Sequence, residues 1–265
     1  MGMLSVIILT KNEEKDIEAA IQNARQCADE VLVVDSGSTD RTVELAEKNG
    51  ARVVFRAWDN DFAAQRNFAL SQTDADWVLY LDADERMNDE LVSAVRKTVS
   101  AKPSEAAGKK QYRMQRKSVA FGKKFSYGPL YPDRVTRLFP GKTVTWVGKV
   151  HEHPECSLPL EKLPGHIEHY TYRDWQEWEE KMGRYSSIWA EEAWHKGRRA
   201  SLPEALLHGI GSLFSTLILR RGFLDGWMGI CLSCMYFSYT MLKYLKLYEI
   251  HHTGDGFLKH KKMKN

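Results

Sequence analysis

The chain has 265 residues, 43% of them hydrophobic and 28% charged, with a formal net charge of +3; this is the composition of a globular protein long enough to bury a large core. From His195 onward eleven Lys/Arg face four Asp/Glu, so that part carries +7 and the remainder −4. Four cysteines (Cys27, Cys156, Cys231, Cys234) lack the spacing of a disulfide framework, which excludes a stapled secreted scaffold and points to a reducing compartment.

Strand and helix patterns alternate from the start. "LSVIILT" (4–10) predicts a strand rather than a leader peptide, because the chain turns charged directly afterwards, and "NEEKDIEAAIQNA" (12–24) predicts a helix capped by Asn12. "EVLVVD" (30–35) is the next strand, followed by the turn "SGST" and a helix from Asp40 to about Asn49. "ARVVFRAW" (51–58), "NDFAAQRNFALSQT" (60–73) and "DWVLYLD" (76–82) add a strand, a helix and a strand. Such alternation predicts right-handed βαβ units and a mostly parallel sheet whose strand ends carry Thr10, Asp35 and Asp82.

A helix is expected near 88–99 and a loop at "KPSEAAGKK" (102–110), then strand-like pieces "QYRMQRKSV" (111–119), "DRVTRLFP" (133–140) and "TVTWVGKV" (143–150) in a smaller, partly antiparallel subregion. From about 172 the chain turns helical and Trp-rich, so the expected domains are 1–170 and a helical C-terminal region, 171–265. Two stretches free of formal charge, 205–219 and 227–242, fall short of the ~20 residues that span a bilayer. They suit an interfacial or re-entrant hairpin, with Arg220, Arg221, Lys243, Lys246 and the run "KHKKMK" (259–264) meeting anionic headgroups, or an ordinary packed hairpin with a solvated tail. Cys231 and Cys234, inside the second stretch with no second pair or nearby His, read as small core residues rather than a metal site.

The densest chemistry lies in "VLYLDADE" (78–85), where Asp82, Asp84 and Glu85 follow an apolar run. Open α/β sheets place ligands at the carboxyl ends of their strands. Crowded carboxylates suit Mg²⁺ or Mn²⁺ carrying a phosphorylated ligand, or else form an acidic cap for the following helix. Strand one leads into "TKNEEKD" with no G-x-G-x-x-G, and no G-x-x-x-x-G-K-[ST] occurs, which excludes a dinucleotide fingerprint and a P-loop. A D-x-D phosphatase normally places its acids after the first strand; here they follow the fourth.

"VIILTKNEE", "VVDSGSTDRT" and "LYLDADE", in this order and spacing, resemble the inverting family 2 glycosyltransferases. "AQRNFAL", "DRVTRLF", "WVGKVHEHPE" and "GFLDGWMG" extend the resemblance to the bacterial lipopolysaccharide core glucosyltransferases. The resemblance implies an α/β GT-A fold, a metal-dependent transfer of a hexose, glucose from UDP-glucose being the first expectation, and a lipid-linked saccharide acceptor at the cytoplasmic face of the inner membrane. No nucleic-acid partner is expected, and other donors (ADP-heptose, UDP-N-acetylhexosamine), a phosphatase or an inactive sugar-binding protein remain alternatives. Carried over by position, Thr10, Asn12 and Glu13 would shape the nucleotide pocket, Asp35 would accept from uracil, Arg66 would reach ribose or diphosphate, Asp82 would face the ribose and Asp84 the metal. Asp35 could instead cap its own turn, and Arg66 could lie on a solvated helix face. The family places its general base downstream of D-x-D in an E-D type motif; here "HE" stands in the comparable place, so Glu152 is the first candidate base and Asp133 the second, with His151 as metal ligand or positioning group.

Overall fold

The computed structural model describes residues 2–100, 109–148 and 152–253. His151, most of the loop expected at 102–110 and the basic run 259–264 lie outside the described residues. The chain divides into two units, Met1–Lys117 with Asp133–Tyr170, and Ser118–Pro132 with Thr171–Asn265.

In chain order the elements are β1 (Leu4–Thr10), α1 (Ile17–Ala24), β2 (Glu30–Asp35), α2 (Thr42–Lys48), β3 (Arg52–Phe55), α3 (Phe62–Ser71), β4 (Trp77–Asp82), β5 (Glu85–Met87), α4 (Asp89–Val99) and β6 (Gln111–Ala120). They continue with β7 (Lys123–Lys124), β8 (Asp133–Pro140), β9 (Thr145–Val147), β10 (His153–Glu155), β11 (Leu160–Tyr172), α5 (Trp175–His195), α6 (Leu202–Phe214) and α7 (Gly226–Thr253).

The first unit is an α/β layer structure. Strands β3, β2, β1 and β4 run parallel, and β8, β6, β11 and β5 extend the sheet in that order beyond β4. β4–β8, β6–β8 and β11–β5 are antiparallel pairs. Successive residues of β1 point to opposite faces. Leu4, Val6 and Ile8 pack with α1 and α4, whereas Ile7 joins Leu32, Val34, Val78 and Tyr80 under α3. Burial on both faces is why these strands read as continuous apolar runs. The parallel register sets Thr10 beside Asp35 and Leu9 beside Asp82, so the polar strand ends fall on one carboxyl edge.

Two local expectations are corrected. Helix α1 begins at Ile17 behind Asp16, and Asn12 does not cap it, since its φ of 58° is left-handed and its side chain accepts from the Thr39 amide at 2.8 Å. The helix after D-x-D is capped by Asn88, which accepts from the Leu91 amide at 3.1 Å, so Asp84 and Glu85 are free of that task. Asn88 also accepts from the His166 amide at 2.9 Å, tying β11 to the start of α4. Gly165 makes that approach feasible: its φ is +83°, and a Cβ there would collide with the Leu91 amide.

The second unit is helical, with Phe125, Leu130, Tyr172, Trp178, Met182 and Leu232 in one core cluster. A second cluster joins Ala190, Ala193 and Ala205 to Tyr244, Leu247 and Ile250. The carboxylate of Asp225 accepts from the Ser126 and Tyr127 amides at 3.2 and 2.9 Å, and Lys123 Nζ donates to the Asp225 carbonyl. The apolar stretches do form a hairpin, but α7 is 28 residues long, well past the uncharged run. Lys246 donates to Gly183 O, Ser186 Oγ and Ser187 Oγ, all at 2.8 Å, and Lys243 lies over Trp189 and Tyr239, so both turn toward protein rather than outward. Cys231 and Cys234 are exposed on α7, against the core placement expected of them, because the helix turns Leu232 and Ser233 inward instead.

Candidate active site

The site is built on the carboxyl edge of β1, β2 and β4. At the end of β2 the buried Asp35 carboxylate accepts from the Gly37 and Ser38 amides at 2.9 and 3.1 Å, so it holds its own turn, the second of the two roles its sequence allowed. Asn12 joins the loops after β1 and β2: its amide donates to Ser38 Oγ at 2.9 Å, and the Glu13 amide donates to Thr42 Oγ1 at 2.7 Å. The Thr10 hydroxyl is buried at this edge without a hydrogen-bond partner among the described residues.

Segment 65–67 of α3 does three jobs in consecutive residues. Gln65 donates to Arg56 O at 3.0 Å, and Asn67 makes a two-way pair with the Trp146 backbone at 2.8 and 2.9 Å, which fixes β9 beside the helix. Arg66, only 3% exposed, sits between them and donates to Asp82 Oδ1 at 3.0 Å and Glu152 Oε1 at 3.3 Å. Its guanidinium lies 4.7 Å from the Trp146 ring centroid. A solvated Arg66 is thereby ruled out.

Asp82 is clamped from both sides, because Arg137 of β8 donates to its other oxygen at 2.7 Å. Burial alone would raise the Asp82 carboxyl, but Arg137 and then Arg66 outweigh it and hold it far below the usual carboxylate range. Glu85, fully buried, accepts from the Asp82 amide at 3.1 Å and from Arg116 at 3.1 Å. Arg116 also makes a bidentate pair with Asp133 at 3.0 and 2.7 Å across the β6–β8 ladder, where the two residues are register partners. Asp82, Arg116, Arg134, Arg137, Trp146 and Glu152 line a cleft of about 370 Å³.

Asp84 stands apart from the arginine network. Its Oδ2 lies 3.2 Å from His169 Nε2, and its carbonyl accepts from the Tyr170 amide at 2.8 Å. Burial alone would lower the His169 pKa, yet the hydrogen bond and charge of Asp84 raise it. Among the described residues no group of three or more His, Cys, Asp or Glu is poised around a metal. A carboxylate and an imidazole are donor types that a divalent cation takes, and here they supply two of them. Sequence reasoning missed His169, Arg116 and Arg137; a charged residue among apolar ones, as Arg137 is in "DRVTRLFP", was the available signal.

Residues 5–144 match the family described as glycosyl transferase family 2, and the chain belongs to that family. Its fold is α/β around a central mixed sheet, followed by a helical C-terminal region. Among its relatives, an uncharacterized glycosyltransferase of Rickettsia typhi is 28% identical over 94% of this chain and 88% of its own length. The lipopolysaccharide core biosynthesis glycosyltransferase LpsC of Rhizobium meliloti is 28% identical over 94% of this chain and 93% of its own. A glucosyl-3-phosphoglycerate synthase of Mycobacterium tuberculosis, solved with Mn²⁺, UDP and glucosyl-3-phosphoglycerate, shares 27% identity over 46% of this chain and 45% of its own at a TM-score of 0.34, an overlap too partial to carry its ligands across.

Proposed function

We propose that this glycosyltransferase moves a hexose, glucose from UDP-glucose, with inversion onto a lipid-linked saccharide such as lipopolysaccharide core heptose, working peripherally at the cytoplasmic face of the inner membrane. The observation that carries the reading is the division of labour among the acids: Asp82 is neutralised by two arginines, while Asp84 faces His169. The relation to LpsC along nearly the whole of both chains supports the acceptor class.

In this reading Thr10, Asn12, Glu13 and Asp35 surround the uridine, with Asp35 held by its turn in position to accept from the base. Asp84 and His169 are the residues that would hold Mg²⁺ or Mn²⁺, which when bound would supply positive charge against the departing diphosphate. Arg66 and Arg137 keep Asp82 ionised and fixed beside the ribose. Glu152, facing the cleft and oriented by Arg66, takes the proton of the acceptor hydroxyl as that oxygen bonds the anomeric carbon. The bond from that carbon to the diphosphate breaks on the opposite side, and its electron pair leaves on the phosphate oxygen. Asp133, engaged by Arg116, is the less suited base.

Calorimetry with UDP and Mn²⁺ tests the donor half: Asp84→Asn and His169→Ala each abolish the metal-dependent part of UDP binding and leave the melting temperature near wild type. Unchanged metal-dependent binding in both variants overturns the assignment. A panel of UDP-glucose, UDP-N-acetylglucosamine and ADP-heptose, read by diphosphate release, identifies the donor; release from ADP-heptose alone replaces glucose in the proposal.

A further inference from the structure

Helix α6 is patterned inside out. The stripe it turns inward is made of small residues, with Ala205 and Gly209 buried, Thr216 buried in the π-helical turn Ser215–Leu219 that continues it, and Ser212 within 3.0 Å of Thr240 Oγ1 on α7. A Cβ on Gly209 would press into Met241 and Phe237, so these α7 side chains pack directly on the α6 backbone. The large apolar side chains face outward instead: Leu206, Leu207, Ile210 and Phe214 on α6, Leu219 after it, and Trp227, 82% exposed, at the start of α7. Soluble amphipathic helices do the reverse, whereas small residues between helices and large ones outside are the pattern of helices that meet hydrocarbon.

The charges frame this face. Arg220 and Arg221 follow Leu219, both are exposed, and among the described residues neither is in an ion pair, whereas Arg198 and Arg199, which precede α6, lie over Trp189 and Trp194 at 5.3 and 4.0 Å. The segment Leu202–Leu219 is long and apolar enough to cross a membrane by composition, but one observation argues against a spanning hairpin. The turn that follows is occupied by polar backbone contacts, Gly128 N donating to Arg220 O at 2.9 Å and Asp225 accepting from the Ser126 and Tyr127 amides, so it cannot serve as the tip of an inserted hairpin. We infer that the outer face of α6, with Leu219 and Trp227, is a monotopic docking surface for a bilayer with anionic headgroups, the apolar side chains entering the acyl boundary and Arg220 and Arg221 engaging phosphate. This extends the peripheral localisation proposed above by naming the surface, and of the four expected headgroup contacts it keeps Arg220 and Arg221 and drops Lys243 and Lys246, which turn toward protein.

The test is sedimentation of the full-length chain with vesicles of phosphatidylethanolamine and phosphatidylglycerol, without UDP or metal, so that failure of the transferase reading and failure of this one are separable. The wild-type chain pellets with the vesicles. Leu207→Glu with Trp227→Glu lowers partitioning on the order of tenfold or more, while Arg220→Ala and Arg221→Ala each lower it about fivefold on anionic vesicles only. Brominated acyl chains quench the wild-type tryptophan fluorescence, and Trp227→Phe removes part of the quenching, a readout that survives should the glutamate variant fold poorly. Absence of vesicle binding, or binding unaltered by the Glu substitutions in a folded chain, overturns the inference. So does a wild-type dimer in sedimentation equilibrium that ignores vesicles and dissociates in the Leu207→Glu variant, since that outcome gives the face to a second copy.

Discussion

Replacing Asp82 with Asn keeps its shape and removes its charge. At pH 7 the variant leaves Arg137 with only Glu85, 3.7 Å away, and leaves Arg66 with only Glu152. Removing one partner of a buried pair costs about 3–5 kcal/mol; the Asp82 side chain is 30% exposed, so solvent relieves part of this and about 2–3 kcal/mol is expected for the first unit. The pH dependence sharpens the test. The folded carboxyl is held far below its usual range, whereas the unfolded one titrates near 3.9. The stabilisation it gives is therefore complete well above pH 4 and drains as pH falls, because the unfolded chain then takes up a proton that the folded chain refuses. At pH 3 that loss is on the order of 1 kcal/mol for wild type, and Asn cannot suffer it. The gap between wild type and Asp82→Asn narrows by about that amount from pH 7 to pH 3. Urea titrations at both pH values, followed by amide exchange of the β4 peptide, read the first unit apart from the helices. A gap that stays constant within about 0.3 kcal/mol would mean that Asp82 titrates normally when folded, and the two-arginine clamp would be wrong.

Glu152→Gln lowers kcat by ~10² to 10⁴ with calorimetric UDP–Mn²⁺ affinity unchanged, while Asp133→Asn, losing an exposed pair with Arg116, keeps turnover within a few-fold of wild type; near-normal turnover in Glu152→Gln moves the base to Asp133. Gly165→Ala puts a Cβ onto the Leu91 amide at a φ of +83° and should lower stability by about 3 kcal/mol or more, seen as a drop of several degrees in melting temperature; a wild-type melt would refute that close approach. Burial pushes the Cys27 thiol up to about 12, so at pH 8 in the native state it reacts with a disulfide reagent roughly a thousandfold more slowly than an ordinary thiol, after the exposed Cys231 and Cys234. Mass mapping of the labelled peptides checks that order.

The parallel half of the sheet was legible because β1, β2 and β4 are buried on both faces and therefore read as unbroken runs of Val, Ile and Leu, with Thr10, Asp35 and Asp82 marking where burial stops. Asp84 could be singled out for the same reason. Its partner could not: His169 lies 85 residues further on, in a strand where Pro164 and Gly165 interrupt the alternation. The clamp on Asp82 was equally hidden, since Arg66 on a short helix and Arg137 on a mixed strand become buried only when α3 and β8 close over the strand end. In the C-terminal region composition gave the length of the apolar runs but not their direction. Small residues at 205, 209, 212 and 216 make α6 approach α7, and that contact forces the large ones outward.

The place of β11 in the sheet bears on how the chain is made. Residues 160–172 lie between β6 and β5, although β5 leaves the ribosome more than seventy residues earlier and β11 is its ladder partner. Until β11 is synthesised, β5 has no strand to pair with and one edge of β6 is open, a nascent state prone to edge-to-edge association. A fragment cut at residue 144, where the family match ends, would be frozen in that state and would also lack the histidine that faces Asp84. Such a fragment should aggregate on expression, whereas a fragment ending just beyond Tyr170 carries every strand of the first unit.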